Sequence, residues 1–178
     1  PRGESWIVDA ASARPLGVEG SALHPIVSRD ERAILVGGDP ETGTASLFEL
    51  EPDGSLELLA ERVGEPGATV WLEGWDPSSA TGTIVRLDAA TGNRATIAEG
   101  VPVGGYRGAY APGLAFVISG ADARGAGTLL LVDEDDGTVR RVLDTEVTMF
   151  VEIAWSPYAG VAYARVGSEA GLHWLGFE

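Results

Sequence analysis

Apolar residues along this chain occur in short runs separated by turns, and no run has the periodicity of a long helix. The runs AILVGG, LAFVISG and TLLLV are apolar at consecutive positions, which is typical of strands buried on both faces. Gly or Pro interrupts every candidate helical segment within about two turns. The pattern therefore predicts an all-β protein built from many short strands.

One strand–turn–strand pattern recurs along the chain. Each copy has β-type residues on both sides of a polar turn, and turns such as PDG, ATG and DDG contain a residue that tolerates positive φ. The copies start roughly every 42 residues, which is the length of a β-propeller blade. The pattern predicts β-hairpins at 5–18, 46–59, 83–97 and 128–143, with a fifth start at 172–178.

A second pair of strands precedes most of these hairpins, at 22–38, 106–120 and 150–167. Ala111 stands in the turn of the second copy where the other two copies have Ser28 and Ser156. Ser156 is therefore interpreted as a turn residue and not as a nucleophile. Four strands per repeat predict a β-propeller of four to five four-stranded blades, with units at 1–21 (partial), 22–63, 64–100, 104–146 and 148–178 (partial).

Two irregularities interrupt this repeat. The unit at 64–100 has little room for a first strand, because VWLEGW follows ERVGEPGAT directly. The chain also begins and ends in the third strand of a blade. Either the sequence is an excerpt of a longer propeller, or its N-terminal segment completes the last sheet and closes a four-bladed ring.

The segment AWSPYAG at 154–160, followed by VAYARV, resembles the TolB-type WD40-like (PD40) repeat. Blades of that family read roughly W-S-P-D-G, then a buried strand, then a strand that ends in D-x-x-T-G. Further matches are VSRDER at 27–32 and LDAATG at 87–92, whereas Tyr158 replaces the usual Asp and Arg29 replaces Pro. The resemblance implies a β-propeller fold and leaves the function unspecified.

Composition and charge limit the classes of partner. The chain has 27 acidic residues against 12 basic ones, all Arg, and a net charge of -15. Such a surface repels phosphate backbones, which argues against nucleic acid and favours basic partners or divalent cations. The absence of Cys excludes disulfides, a thiol nucleophile and Cys-ligated metals. No apolar run approaches the roughly 18 residues of a membrane helix, so no membrane insertion is predicted.

The strongest candidates for chemistry are acids in the loops between the second and third strands of the units. Each loop carries one, at Asp39, Asp76, Asp122 and Glu169. Equivalent loops of a propeller emerge on one face, so these acids predict a negative rim that holds a divalent cation or a basic ligand. No other cofactor is predicted. The alternative interpretation is that each acid only caps its own turn.

Two tryptophans flank the predicted rim. Alternation along VWLEGW predicts that Trp71 and Trp75 lie on the same side of one strand. Both are candidates for stacking on a sugar or an apolar ligand, and the alternative is a place in the core between blades.

The remaining polar features are interpreted as structural. His24 and His173 occupy strand-like positions beside apolar residues. The DEDDG segment at 133–137 lacks the spacing of an EF-hand calcium loop and stands where other copies have hairpin turns.

These observations favour a non-catalytic binding or scaffold domain that recognises a protein or small ligand on one propeller face. We expect it to be periplasmic or secreted, with the cytoplasm left open. One alternative is the propeller part of a hydrolase or lyase that uses the rim acids, or the gate of a peptidase-like enzyme. Another is a structural module, and open blade edges favour a homo-oligomer.

Overall fold

The computed structural model describes residues 6–8, 13–15, 23–27, 33–39, 44–64, 69–88, 91–111, 113–155 and 158–176. Strands dominate these residues, and the only helical segment among them is one 3₁₀ turn, Gly167–Glu169. The all-β prediction is confirmed.

Fifteen strands are present in the described part of the chain. They are β1 (Trp6–Val8), β2 (Ala13–Pro15), β3 (Leu23–Val27), β4 (Ala33–Asp39), β5 (Thr44–Leu50), β6 (Leu56–Val63), β7 (Val70–Asp76), β8 (Thr81–Leu87), β9 (Arg94–Pro102), β10 (Tyr106–Ala111), β11 (Leu114–Ser119), β12 (Gly127–Asp133), β13 (Val139–Trp155), β14 (Tyr158–Arg165) and β15 (Gly171–Gly176).

Each strand pairs with its neighbours in sequence, so every sheet is an antiparallel meander. The sheets are β1–β2, β3–β6, β7–β9 and β10–β15. The predicted hairpins are confirmed as the pairs β1–β2, β5–β6, β8–β9 and β12–β13. The glycines of the PDG, ATG and DDG turns have φ of 77°, 72° and 73°, so these turns use the left-handed conformation that glycine tolerates.

Consecutive sheets pack face to face through apolar cores. One core lies between the β3–β6 sheet and the β7–β9 sheet and contains Ile34, Leu47 and Trp71. A second core joins β7–β9 to β11 through Leu72 and Val117. Since alternate residues of a strand point to opposite faces, the β7–β9 sheet is covered on both sides.

The six-stranded sheet curls and encloses a third core. Phe116 and Ile118 of β11 lie there with residues of β12, β13 and β14. Ala115 and Val117 of the same strand belong to the core shared with β7–β9, and all four side chains are fully buried. The consecutive apolar residues of LAFVISG therefore correspond to a strand with both faces covered.

The strand β13 departs from the predicted separation into blades. The sequence places units 104–146 and 148–178 in different four-stranded sheets, but the structure has their strands in one hydrogen-bonded sheet. The first half of β13 pairs with β12 and the second half with β14, and Val147 pairs with both. Register shifts next to Val147 and a positive φ of 57° at Glu146 bend the strand there, so the chain changes partner without ending the strand.

Candidate functional site

An open groove of about 450 Å³ lies between the β3–β6 sheet and the β7–β9 sheet. Its walls come from four strands of these two sheets. The lining residues are Leu58, Leu59, Ala60 and Glu61 of β6, Glu73 and Gly74 of β7, Thr83 of β8 and Arg94 of β9.

A bulge in β7 shapes one end of the groove. Glu73 pairs with Thr83 of β8, but the next pair is Asp76 with Thr81, so two residues of β7 are unmatched. Gly74 is one of them, and it has a φ of 61° with open space where a side chain would be. A residue with a Cβ would be strained at this position and would narrow the opening.

Arg94 joins the two walls of the groove. Its guanidinium forms an ion pair with the Glu73 carboxylate and donates a hydrogen bond of 3.1 Å to the carbonyl oxygen of Leu59 on the opposite wall. The guanidinium carbon also lies 5.4 Å from the ring centre of Trp71. These contacts hold Arg94 in one orientation with part of its side chain exposed to the groove.

Trp71 lies in the core beside this ion pair and contacts both of its members. It is 2% exposed and belongs to the core between the two sheets. Its indole Nε1 donates a hydrogen bond of 3.0 Å to Glu73 Oε2. The carboxylate of Glu73 is thus held from two sides, by an indole below and a guanidinium beside it.

The prediction that Trp71 and Trp75 share one side of β7 is wrong. Trp71 packs in the core toward β3–β6, whereas Trp75 packs against the core toward β11. The two unmatched residues of the β7 bulge cause the difference, because they interrupt the alternation of side chains along the strand.

Trp75 is enclosed on its own side of the sheet. A Cβ at Gly64 would lie 3.0 Å from the Trp75 ring, and the ring nitrogen is buried without a hydrogen bond within the described residues. Trp71 has no open ring face, because it is 2% exposed. Trp75 is half-buried, and its place as a stacking residue stays a prediction. Trp71 supports the groove from within the core, through its contacts with Glu73 and Arg94.

Asp76 and Asp122 each bind within their own turns. One oxygen of Asp76 accepts hydrogen bonds from the backbone N and the hydroxyl of Ser78, at 2.9 and 2.8 Å. The carboxylate of Asp122 accepts from the backbone N of Arg124 and of Ala126, at 2.8 and 3.1 Å, and pairs with the Arg124 guanidinium.

These hydrogen bonds shift the pKa values of both carboxyl groups in the same direction. The backbone N–H and the hydroxyl of Ser78 lower the pKa of Asp76. The guanidinium of Arg124 and two backbone N–H groups lower the pKa of Asp122. Both patterns match the alternative interpretation, in which each acid caps its own turn.

The other two predicted rim acids are Glu169 and Asp39, and the convergence of all four stays a prediction. Glu169 lies on the 3₁₀ turn and pairs with Arg165 at 2.5 Å. Asp39 ends β4 and pairs through its backbone with Thr44, while its side chain lies outside the described residues. Within the described ranges, no group of three or more His, Asp or Glu side chains is arranged to hold a metal ion.

The DEDDG segment forms the turn between β12 and β13. Asp133 accepts a hydrogen bond from the backbone N of Asp135, and Asp136 accepts one from the backbone N of Thr138. The interpretation as a hairpin turn is confirmed. The segment also joins layers, because Arg86 of β8 forms an ion pair with Asp135.

The remaining sequence candidates fall in or beside strands. His173 stacks on Tyr163 with ring centres 5.5 Å apart, and its Nε2 lies 3.0 Å from the carbonyl oxygen of Glu169. His24 is in β3, with its side chain outside the described residues. Ser156 also lies outside them, so its interpretation as a turn residue stays a prediction.

The sequence analysis did not select Glu61, Glu73 or Arg94. One signal was available, since Trp71 and Glu73 are two residues apart on a strand and therefore share a face. Arg94 and Leu59 belong to different sheets, and only the packing of those sheets brings them together.

Comparisons with protein-family models and with curated proteins found no match to the chain. Across the described residues, none of the helical structure is long and apolar enough to span a membrane.

Proposed function

We propose that this protein is a non-catalytic binding domain with the layered architecture of a β-propeller, and that its ligand binds in the groove between β6 and the β7–β9 sheet. The observation that carries this proposal is the groove itself, an opening of about 450 Å³ where apolar, carboxylate and guanidinium groups meet. Ligand sites typically combine an apolar wall with a few polar groups held in fixed positions, in volumes of roughly 300–1,000 Å³.

The stacking of consecutive sheets supports the propeller part of the proposal. The β3–β6 sheet packs an apolar face on the β7–β9 sheet, and β7–β9 packs its other face on β11 of the next sheet, as blades do when they share their cores. The resemblance of the repeats to the TolB-type family supports the same architecture. The continuous strand β13 is a variation in which two neighbouring blades stay hydrogen-bonded.

The charges of the groove favour a cationic ligand. Glu61 and Glu73 supply two carboxylates against the single guanidinium of Arg94, in a chain of net charge -15. Arg94 is already bound to Glu73 and to the Leu59 carbonyl oxygen, whereas Glu61 is exposed. A cationic group near Glu61 is attracted by the two carboxylates of the groove and by the negative electrostatic potential of the whole chain.

The apolar wall indicates the rest of the ligand. Leu58 is 48% exposed, and Leu59 and Ala60 continue this wall along β6. A Lys side chain flanked by apolar residues in a short peptide has the required combination of a charge and an apolar body. We therefore propose a ligand of this class, either a peptide segment or an amine with an apolar chain.

The proposal is tested with three capped tripeptides, Ac-Leu-Lys-Leu-NH₂ and its Gln and Glu analogues. Titrations followed by ¹⁵N NMR should move the Trp71 Nε1–H and Arg94 Nε–H signals most with the Lys peptide and least with the Glu peptide. The preference should weaken as salt is raised, since the charges are partly exposed.

A matched pair of variants locates the site. Glu61→Gln should reduce the preference for the Lys peptide over the Gln peptide by roughly two- to fivefold, as an exposed charge pair contributes up to about 1 kcal/mol. Glu99→Gln removes the same charge from an exposed position of β9 outside the groove and should have little effect. Equal responses to all three peptides, or an equal loss in both variants, would contradict the proposal.

A further inference from the structure

Arg94 fills a cation-binding position inside the groove. Its guanidinium forms an ion pair with Glu73, donates to the carbonyl oxygen of Leu59 at 3.1 Å and lies 5.4 Å from the ring centre of Trp71. A carboxylate, a carbonyl oxygen and an aromatic ring all attract cations. We call the Glu73 carboxylate, the Leu59 carbonyl oxygen and the Trp71 ring the cation subsite.

The groups of the cation subsite are positioned by contacts that do not involve Arg94. They belong to β6 and β7, whereas Arg94 comes from β9. The buried indole of Trp71 donates from Nε1 to Glu73 Oε2 at 3.0 Å, which fixes the carboxylate from the core side. Leu59 lies at a register shift between β5 and β6, on the edge strand of its sheet. The subsite therefore keeps its form when the guanidinium leaves.

Arg94 is the most exposed member of this arrangement. Its side chain is 41% exposed, against 26% for Glu73, and it is the first residue of β9. An ion pair with this exposure contributes little to stability, so the side chain can swing outward at low cost. Gly74 leaves open space beside Glu73, because nothing lies within 4 Å of the place where its Cβ would be. A second cation can thus reach the same carboxylate.

We propose that Arg94 is a resident occupant of the cation subsite and that the cationic group of the groove's ligand displaces it. This inference rests on the proposed function and adds how the groove is regulated. Glu61 lines the same groove and attracts the incoming cation. Arg94 then competes with that cation for Glu73, so the protein binds an alkylguanidinium or alkylammonium group more weakly than the vacant subsite does.

The vacated subsite is tested with Arg94→Ala and ethylguanidinium, which reproduces the head group of Arg94. Titration at constant ionic strength should shift the Trp71 Nε1–H signal in ¹⁵N NMR, with a dissociation constant on the order of 10 mM. The parent protein should bind the probe about fivefold more weakly, because its own guanidinium fills the position. N-ethylurea, an uncharged planar analogue, should not shift the signal in either protein.

Two further variants keep this test specific. Arg140→Ala makes the same change in net charge and also removes an ion pair, that of Arg140 with Asp133, outside the groove. Its Trp71 signal should respond to ethylguanidinium as weakly as that of the parent protein. Arg94→Gln removes the charge but retains part of the side chain, and it should bind ethylguanidinium as Arg94→Ala does. A response in Arg94→Ala no stronger than in Arg140→Ala would overturn the inference.

The Lys tripeptide separates this inference from the proposed function. Ac-Leu-Lys-Leu-NH₂ should bind Arg94→Ala about fivefold more tightly than it binds the parent protein. If the parent binds the peptide and Arg94→Ala binds it equally or more weakly, Arg94 is part of the ligand site and not a competitor. That result would overturn the inference and leave the proposed function intact. A peptide that binds neither protein would overturn the proposed function, and the displacement of Arg94 with it.

Discussion

Two regions of the six-stranded sheet carry apolar side chains on both faces and have different surroundings. The strand β11 is apolar at consecutive positions and has both faces buried, one against β7–β9 and one inside the curl of its own sheet. Where β13, β14 and β15 pair, Phe150 and Val161 are buried on one face, but apolar side chains of the other face, such as Leu172, are exposed. The number of apolar faces is thus a property of the strand, and their burial depends on whether another layer lies beside them.

The largest expected effect comes from making the same Leu-to-Ala substitution once in each region. Leu129 is fully buried within the curl, whereas Leu172 of β15 is 81% exposed. Leu129→Ala should lower the free energy of unfolding by roughly 2–5 kcal/mol, because it leaves a cavity in a packed core. Leu172→Ala should change it by less than about 0.5 kcal/mol.

Urea denaturation of the two variants and the parent protein measures both values. Similar losses in the two variants would show that Leu172 is buried in the folded chain. That outcome would remove the distinction between the two regions.

Two glycines in the left-handed conformation provide a smaller test. Gly137 and Gly113 have nearly equal φ angles, 73° and 76°. A Cβ at Gly137 would lie 2.7 Å from the carbonyl oxygens of Thr96 and Ile97 in the next layer, whereas a Cβ at Gly113 meets nothing within 4 Å. Gly113→Ala should cost roughly 1–2 kcal/mol through backbone strain alone.

Gly137→Ala should cost the same strain plus about 1–3 kcal/mol, because the new methyl group must displace the backbone of β9. Thermal or urea unfolding of the two variants measures the difference. Equal costs would contradict the close approach of the β12–β13 turn to β9.

The smallest effect concerns alkaline pH. Partial burial and the hydrogen bond that Tyr106 donates to Glu134 raise the pKa of Tyr106 above its ordinary value of 10.0. The folded protein therefore holds this proton more tightly than the unfolded chain does. The resulting stability is present below pH 10 and is lost as the pH rises above that value.

The melting temperature should accordingly fall as the pH is raised above about 10, and less steeply in Tyr106→Phe. Tyr163→Phe is the companion variant. Burial, with a contribution from Asp144, also raises the pKa of Tyr163. Tyr163→Phe should therefore retain the part of the fall in melting temperature that is due to Tyr106. The same slope for the parent protein and Tyr106→Phe would contradict the hydrogen bond to Glu134.

Local pattern predicted the strands and turns well, for physical reasons. The DDG turn and the run LAFVISG depend on φ preferences and on consecutive apolar positions, which the sequence shows directly. The pattern failed at Trp75, because the bulge at Gly74 inverts the side on which the next residue lies. A bulge inserts an extra residue into one strand and so shifts which side the following side chains point to. The two-residue alternation of a strand sequence does not reveal where a bulge occurs.

Such local sequence patterns could not predict the groove. Arg94 contacts the Leu59 carbonyl oxygen, 35 positions earlier in sequence, only because two separate sheets pack together. The predicted rim acids were chosen in the opposite way, from the sequence pattern alone. Each acid was selected for its place in the repeat, but Asp76 and Asp122 use their oxygens on backbone N–H groups a few residues away.

The central claim is that consecutive sheets stack face to face, with β11 between two cores. Nuclear Overhauser effects between methyl groups of separate layers test it most directly. The account predicts cross-peaks from Val117 of β11 to Leu72 and Ile84 of the β7–β9 sheet, and from Ile118 to Val161 of β14. Cross-peaks from Val117 and Ile118 only to their own neighbours in β10 and β12 would contradict the stacked arrangement.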